Sequence, residues 1–311
     1  MVEIYTILGF IFAGYSVVAN DSLQTLGTWI NSNKIIPWYF LWIFASFILA
    51  LTMMHGYFSG DLSHGRLSSI PYIEPNFWHL LAPISLLILT RNGIPVSTSF
   101  LVLSAFASSL VVQKMLMKSI VGYVVAAIVS YILWSLLSRF IDESKKPEAS
   151  DTKWRIAQWL STGFLWTMWL QQDFSNIAVF LPRQVSLNTV LMIILFFVVM
   201  LGYVFKSGGG KIQNLVIEKT STKFVRSATI IDLVYAFLLL YFKIYNNIPM
   251  STTFVFVGLL AGRELALNSY FVTKKGRIKK VFPMIGRDFL RLVIGITVSV
   301  ALIITIQYFN N

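Results

Sequence analysis

The sequence has no cysteine, few charges and no long polar segment, and each shortage excludes something. Without cysteine there can be no disulfide, no thiolate metal site and no thiol chemistry. Charged residues are 12% of the 311, against about a quarter in soluble domains, while 56% are hydrophobic. The composition is therefore that of an integral membrane protein. Its polar segments, near 139–155, 206–226 and 263–287, are too short to bury a core. Asp61, His64, Glu74 and His79 lack metal-ligand spacing and read as loop or interface residues. No H-E-x-x-H, no G-x-S-x-G and no acidic pair suited to a membrane prenyl transferase occurs, so neither an enzyme nor a cofactor beyond a coupling ion is expected. Gly208-Gly-Gly-Lys211 lacks the phosphate-loop spacing and reads as a flexible loop.

What is present is a series of apolar runs close to the 20 or so residues that cross a bilayer as helix. Residues 3–31 form a long run interrupted at Asn20 and Asp21, read as a retained first span because no basic n-region precedes it. A second span covers 36–57, two shorter pieces (77–90 and 100–112) flank Arg91 to Ser99, and another span covers 119–138. The linker 139–153 divides this first repeat (1–138) from a second (154–311) of similar plan. In the second, a span holding Q-Q-D-F-S-N (154–181) precedes runs at 186–205, 228–245, 254–262 and 289–308. Asp21 and Asp173 lie 152 positions apart, and Pro95 and Pro249 lie 154 apart. Two markers at nearly one offset point to duplication.

If the pieces around Pro95 and Pro249 return to the side they left, as re-entrant hairpins or as paired spans, each repeat crosses an odd number of times. The second repeat is then inverted relative to the first, a transporter plan with broken helices at the midplane. Charge agrees, with nineteen basic residues on one side and four on the other. The richer side is expected to be cytoplasmic. That places the chain as a multi-pass protein of the plasma (inner) membrane, both termini outside. The net charge of +12 marks topology within a lipid bilayer and not a nucleic-acid partner.

Four polar clusters carry the candidate chemistry. Asn20, Asp21, Gln24 and Thr25 interrupt an apolar helix, where an ionisable group is a functional hypothesis by default. Carboxylate, amide and hydroxyl oxygens suit a hard cation, and Gln172, Asp173, Ser175 and Asn176 form the partner set. The bland alternative is a helix-to-helix hydrogen-bond patch. Ser97, Thr98 and Ser99 after Pro95, with Ser251, Thr252 and Thr253 after Pro249, put three hydroxyls at an expected helix N-terminus, an arrangement that favours an anion or simply caps a helix. Arg91 either adds a fixed positive charge for that anion or snorkels.

These motifs resemble the inorganic phosphate transporter (PiT) family of secondary carriers, whose signature repeats G-A-N-D-V-A-N-x-x-G-T and G-L-P-V-S-T-T-H twice each. Here they read A-N-D-S-L-Q-T-L-G-T, Q-Q-D-F-S-N, G-I-P-V-S-T-S-F and N-I-P-M-S-T-T-F, in the family's order. The resemblance implies an inverted-repeat carrier, a homodimer, binding phosphate and coupling cations between the four motifs. Sodium would sit at Asp21 and Asp173, with Asn20, Gln24, Gln172 and Asn176 beside them. Phosphate would sit at Ser97, Thr98, Ser99, Ser251, Thr252 and Thr253. Departures are Gln24 and Gln172 for asparagines, and Phe100 and Phe254 for the closing histidines. They leave open whether the coupling ion is Na⁺ or H⁺, and whether the cargo is phosphate, another oxyanion such as sulfate, or nothing, as in a receptor or scaffold that kept the fold.

Overall fold

The structure, a computed structural model, describes residues 2–91, 97–137, 152–207, 225–270 and 278–310. Pro95, most of the 139–153 linker and the Gly208–Lys211 loop lie outside the described residues, as do the side chains of Asn20 and Arg91.

Among the described residues the chain is all helix, without strands. In the first repeat α1 spans Val2–Ser32 and α2 Trp38–Phe58. A 3₁₀ turn at Phe77–Leu80 leads into α3, Leu81–Arg91. A π turn at Ser99–Leu103 precedes α4, Ser109–Leu137. The second repeat follows the same order: α5 (Thr152–Asp173), a short α6 (Ser175–Ala178), α7 (Leu187–Lys206), α8 (Val225–Tyr245), α9 (Thr252–Tyr270) and α10 (Ile278–Asn310).

Helices α2, α4, α7 and α8 are long and apolar enough to cross a membrane, and the two arms of α1 together make a fifth candidate. Their apolar residues also face outward at helical spacing, as Ile43, Phe47 and Leu51 do on α2 and Leu191, Leu195 and Val199 on α7. In water such faces would be a liability, but against acyl chains they cost nothing. The chain is a multi-pass membrane protein.

Some boundaries differ from the sequence reading. The interruption at Asn20 and Asp21 is not an unwound gap: α1 is helical throughout and bends by 41° between Glu3–Ala19 and Gln24–Ser32. Hydroxyls account for part of this, since Ser22 donates to the Val18 carbonyl and Thr25 to the Asp21 carbonyl at 3.0 Å, a back-bonding that bends helices. The second copy does break, with α5 ending at Asp173 and α6 starting at Ser175. Residues 109–112, expected in a separate short piece, instead open α4, because nothing between Ser109 and Lys118 interrupts helix.

The hairpins are unequal. Helix α3 has 11 residues, about 16 Å, and α8 has 21, about 31 Å, which is a full hydrocarbon thickness. Helix α9 lies directly against α4, and glycines permit it. A Cβ on Gly258 would fall 2.3 Å from the Tyr123 carbonyl oxygen, and one on Gly262 2.0 Å from that of Ala127. This small-x-x-x-small spacing brings two backbones into contact. Helices α2 and α7 pack against each other through Trp42, whose indole N–H donates to the Val198 carbonyl at 2.8 Å.

Candidate functional site

The bend of α1 and the break between α5 and α6 bring the two carboxylates inside, where both are buried. The hydroxyl segments approach them from the other hairpins. Ser97 accepts from the Phe100 N–H at 3.3 Å, and Ser251 from the Phe254 N–H at the same distance, so the first hydroxyl of each segment caps its helix. The next hydroxyl does something else. Thr98 Oγ1 donates to Asp21 at 2.5 Å, and Thr252 Oγ1 donates to Asp173 at 2.5 Å. The two bonds occupy equivalent places in the two repeats.

Hydroxyls expected on an anion are thus bonded to the carboxylates expected on a cation. In each pair the carboxylate oxygen and the hydroxyl oxygen lie side by side, an arrangement that a hard cation can bridge once the proton turns away.

Around Asp173 the set is fuller. Asn176 Nδ2 donates to its carboxylate at 3.1 Å, and Ser99 Oγ lies 3.3 Å from it and 3.2 Å from the Met250 carbonyl, so one proton is shared between two acceptors. Ser99 belongs to the first repeat and Asp173 to the second. The Asn176 Oδ1 is buried and has no hydrogen-bond partner among the described residues. Gln172 donates to the Leu239 carbonyl at 3.0 Å, and its buried Oε1 is also without a partner among the described residues. Turning either amide over would set oxygen against oxygen, so the bonds fix both orientations. An orphaned acceptor costs about 1–3 kcal/mol and invites a cation or a donor.

Gln24 and Thr253 are buried as well. Phe100 and Phe254, which stand where the resemblance places histidines, meet ring to ring with centroids 5.9 Å apart. Equivalent residues that touch lie where the two repeats meet. For Asn20 and Arg91 the backbone alone is described, within α1 and at the end of α3.

Two residues near this site escaped the sequence reading. Tyr235, on α8, donates to the Thr252 carbonyl at 3.0 Å and lies within electrostatic range of both carboxylates. Asp232, one turn earlier, is buried and accepts from Thr28 and Thr162, each at 2.6 Å, tying α8 to α1 and α5. An ionisable residue in an apolar run, the signal read at Asp21, was present at Asp232 too.

No family model matches the sequence, and no curated protein matches it. Comparison of folds gives a different result. A solved structure described as the sodium-dependent phosphate transporter superposes with a TM-score of 0.66 over 99% of both chains, at 18% sequence identity. From end to end, this chain has the fold of that transporter.

Proposed function

We propose that the protein is a cation-coupled symporter of inorganic phosphate that works by alternating access between the repeats 1–138 and 154–311, joined by the linker 139–153. The observation that carries this reading is the matched pair of bonds, Thr98 to Asp21 and Thr252 to Asp173. Each pair supplies a carboxylate and a hydroxyl oxygen to a cation. Na⁺ suits such a set better than H⁺, because amide and hydroxyl oxygens accompany the acids.

The same bonds supply a mechanism for coupling. While the carboxylate is bare, the threonine proton points at it. A cation seated on the carboxylate repels that proton and takes the hydroxyl lone pair, and the O–H then turns outward as a donor to an anion. Cation binding therefore creates the anion's ligands and offsets its charge in a low-dielectric site. The orphaned oxygens of Gln172 and Asn176 accept either the cation or the P–O–H proton of phosphate, a donor that sulfate lacks. The resemblance and the fold neighbour's description support the same cargo. In the plasma membrane both termini face outward in this reading, and the assembly is a homodimer.

Uptake of labelled phosphate into proteoliposomes, with Na⁺ and pH gradients varied separately, tests the proposal. Asp21→Asn and Asp173→Asn are expected to abolish driven uptake while eluting as folded protein. Normal sodium-driven uptake by both would sink the assignment. Unlabelled sulfate that competes as well as phosphate would move the cargo to sulfate. The absence of cation-stimulated uptake of any oxyanion would favour a scaffold.

A further inference from the structure

Lys118 lies in the first half of α4, and a group of cations gathers around it. Arg66, wholly buried, donates through its two terminal nitrogens to the carbonyls of Asn246 at 2.8 Å and Lys243 at 3.0 Å. Lys118 donates to the Asn246 carbonyl at 3.1 Å, to its side-chain Oδ1 at 2.8 Å and to the Ile248 carbonyl at 2.8 Å. Lys243 reaches the side-chain oxygen of Gln171.

Among the described residues, none of these three cations has a carboxylate at ion-pair distance. The nearby Asp61 is spent on its own loop, accepting from the Ser63 N–H at 2.7 Å, the Ser63 hydroxyl at 2.6 Å and the Gly65 N–H at 2.6 Å. Buried cations ordinarily pair with anions, because carbonyl dipoles replace only part of the lost hydration. Among the described residues the Arg66 Nε has no hydrogen-bond partner. Burial draws this guanidinium down to about 10, and Asp173 acts against the shift.

The group is joined to the candidate site by both of its chain segments. Gln171 is two residues from Asp173, and Ile248 is two residues from Met250, whose carbonyl lies against Ser99. We propose that Arg66, Lys118 and Lys243 form a second anion position at the outer mouth, holding the 243–248 carbonyls when the mouth is shut and receiving a tetrahedral oxyanion when it opens. Neutral carbonyls hold cations weakly enough to be exchanged for a charged ligand, and a predominantly positive mouth raises the local anion concentration. The position serves the cargo proposed above and rests on that reading.

Initial rates of labelled inorganic phosphate uptake by proteoliposomes, at low and high ionic strength, test it. Lys243→Gln leaves in place the backbone carbonyl that Arg66 uses, so it removes charge with least disturbance, and Arg66→Gln is the second variant. Each is expected to raise KM about fivefold or more, with kcat falling much less, and to flatten the salt dependence of KM. Lys243→Arg is expected to restore both. A wild type that transports while every folded variant keeps its KM and salt dependence overturns this inference alone. A wild type that moves no oxyanion overturns the carrier reading, and this position with it.

Discussion

Thr252→Val is the sharpest perturbation available, because it exchanges a hydroxyl for a methyl of nearly the same size at the shortest bond that Asp173 makes. Two effects on the cation oppose each other. Without the cation the carboxylate loses a charge-assisted donor, and with it the cation loses one oxygen ligand, so cation affinity itself should move little. What disappears is the hydroxyl proton that cation binding turns toward the anion. A hydrogen bond to a charged group contributes about 1.5–3 kcal/mol, or roughly tenfold to a hundredfold in affinity. Coupling between two ligands is typically about 1–3 kcal/mol, so this one proton supplies much of it. The assay is phosphate binding to purified protein with Na⁺ and with an inert cation in its place. The ratio of the two dissociation constants is the coupling factor, expected to fall at least tenfold in Thr252→Val and to survive in Thr252→Ser. A coupling factor unchanged in Thr252→Val would refute the proton relay.

Three further outcomes follow from other parts of the fold. Gly262→Ala places a Cβ 2.0 Å from a backbone oxygen, about 1.3 Å inside normal contact, and α9 must retreat from α4; a loss of about 1–3 kcal/mol is expected as a lower melting temperature in detergent. Melting unchanged from wild type would contradict that contact. Asp232→Ala leaves the Thr28 and Thr162 hydroxyls without their acceptor and should cost about 2 kcal/mol or more by the same measurement, whereas Asp232→Asn, which keeps one acceptor oxygen, should cost less. His64, in the loop after α2, is pushed down to about 4 by burial, with the Lys243 cation adding and Asp61 opposing. Its unfolded value is about 6.5, so the stability from its neutral form is complete above that pH and is lost as pH falls toward 4. His64 has a φ of +49°, which asparagine tolerates, so His64→Asn should flatten the dependence of melting on pH between 6.5 and 4 without straining the loop.

Much of this was legible in the sequence because lipid imposes simple rules. Run length identified α2, α4, α7 and the bent α1, and the 152- and 154-residue offsets brought the aspartates and the hydroxyl segments together, as Thr98 on Asp21 and Thr252 on Asp173 show. Hydrogen-bond direction was not legible. Residue type says that a threonine can donate, not that its proton faces a carboxylate in place of an anion. The state of α1 was missed for a similar reason: polar residues signal an interruption, but Ser22 and Thr25 can bond back to the helix and bend it instead. Arg66 and Lys118 belong to the four basic residues counted on the poorer side, a count that uses their charge and is blind to their burial. Asp232 was simply passed over.

The ring contact between Phe100 and Phe254 bears on what the other conformation must look like. Under the alternating access proposed above, each repeat would take the shape its twin held before. A contact between twins survives that exchange, so the two rings act as a pivot common to both states. A contact between unlike residues is replaced by its mirror image. Ser99 now leans across to Asp173; after the exchange Thr253 leans across to Asp21, and the proton bridging the repeats has changed owner.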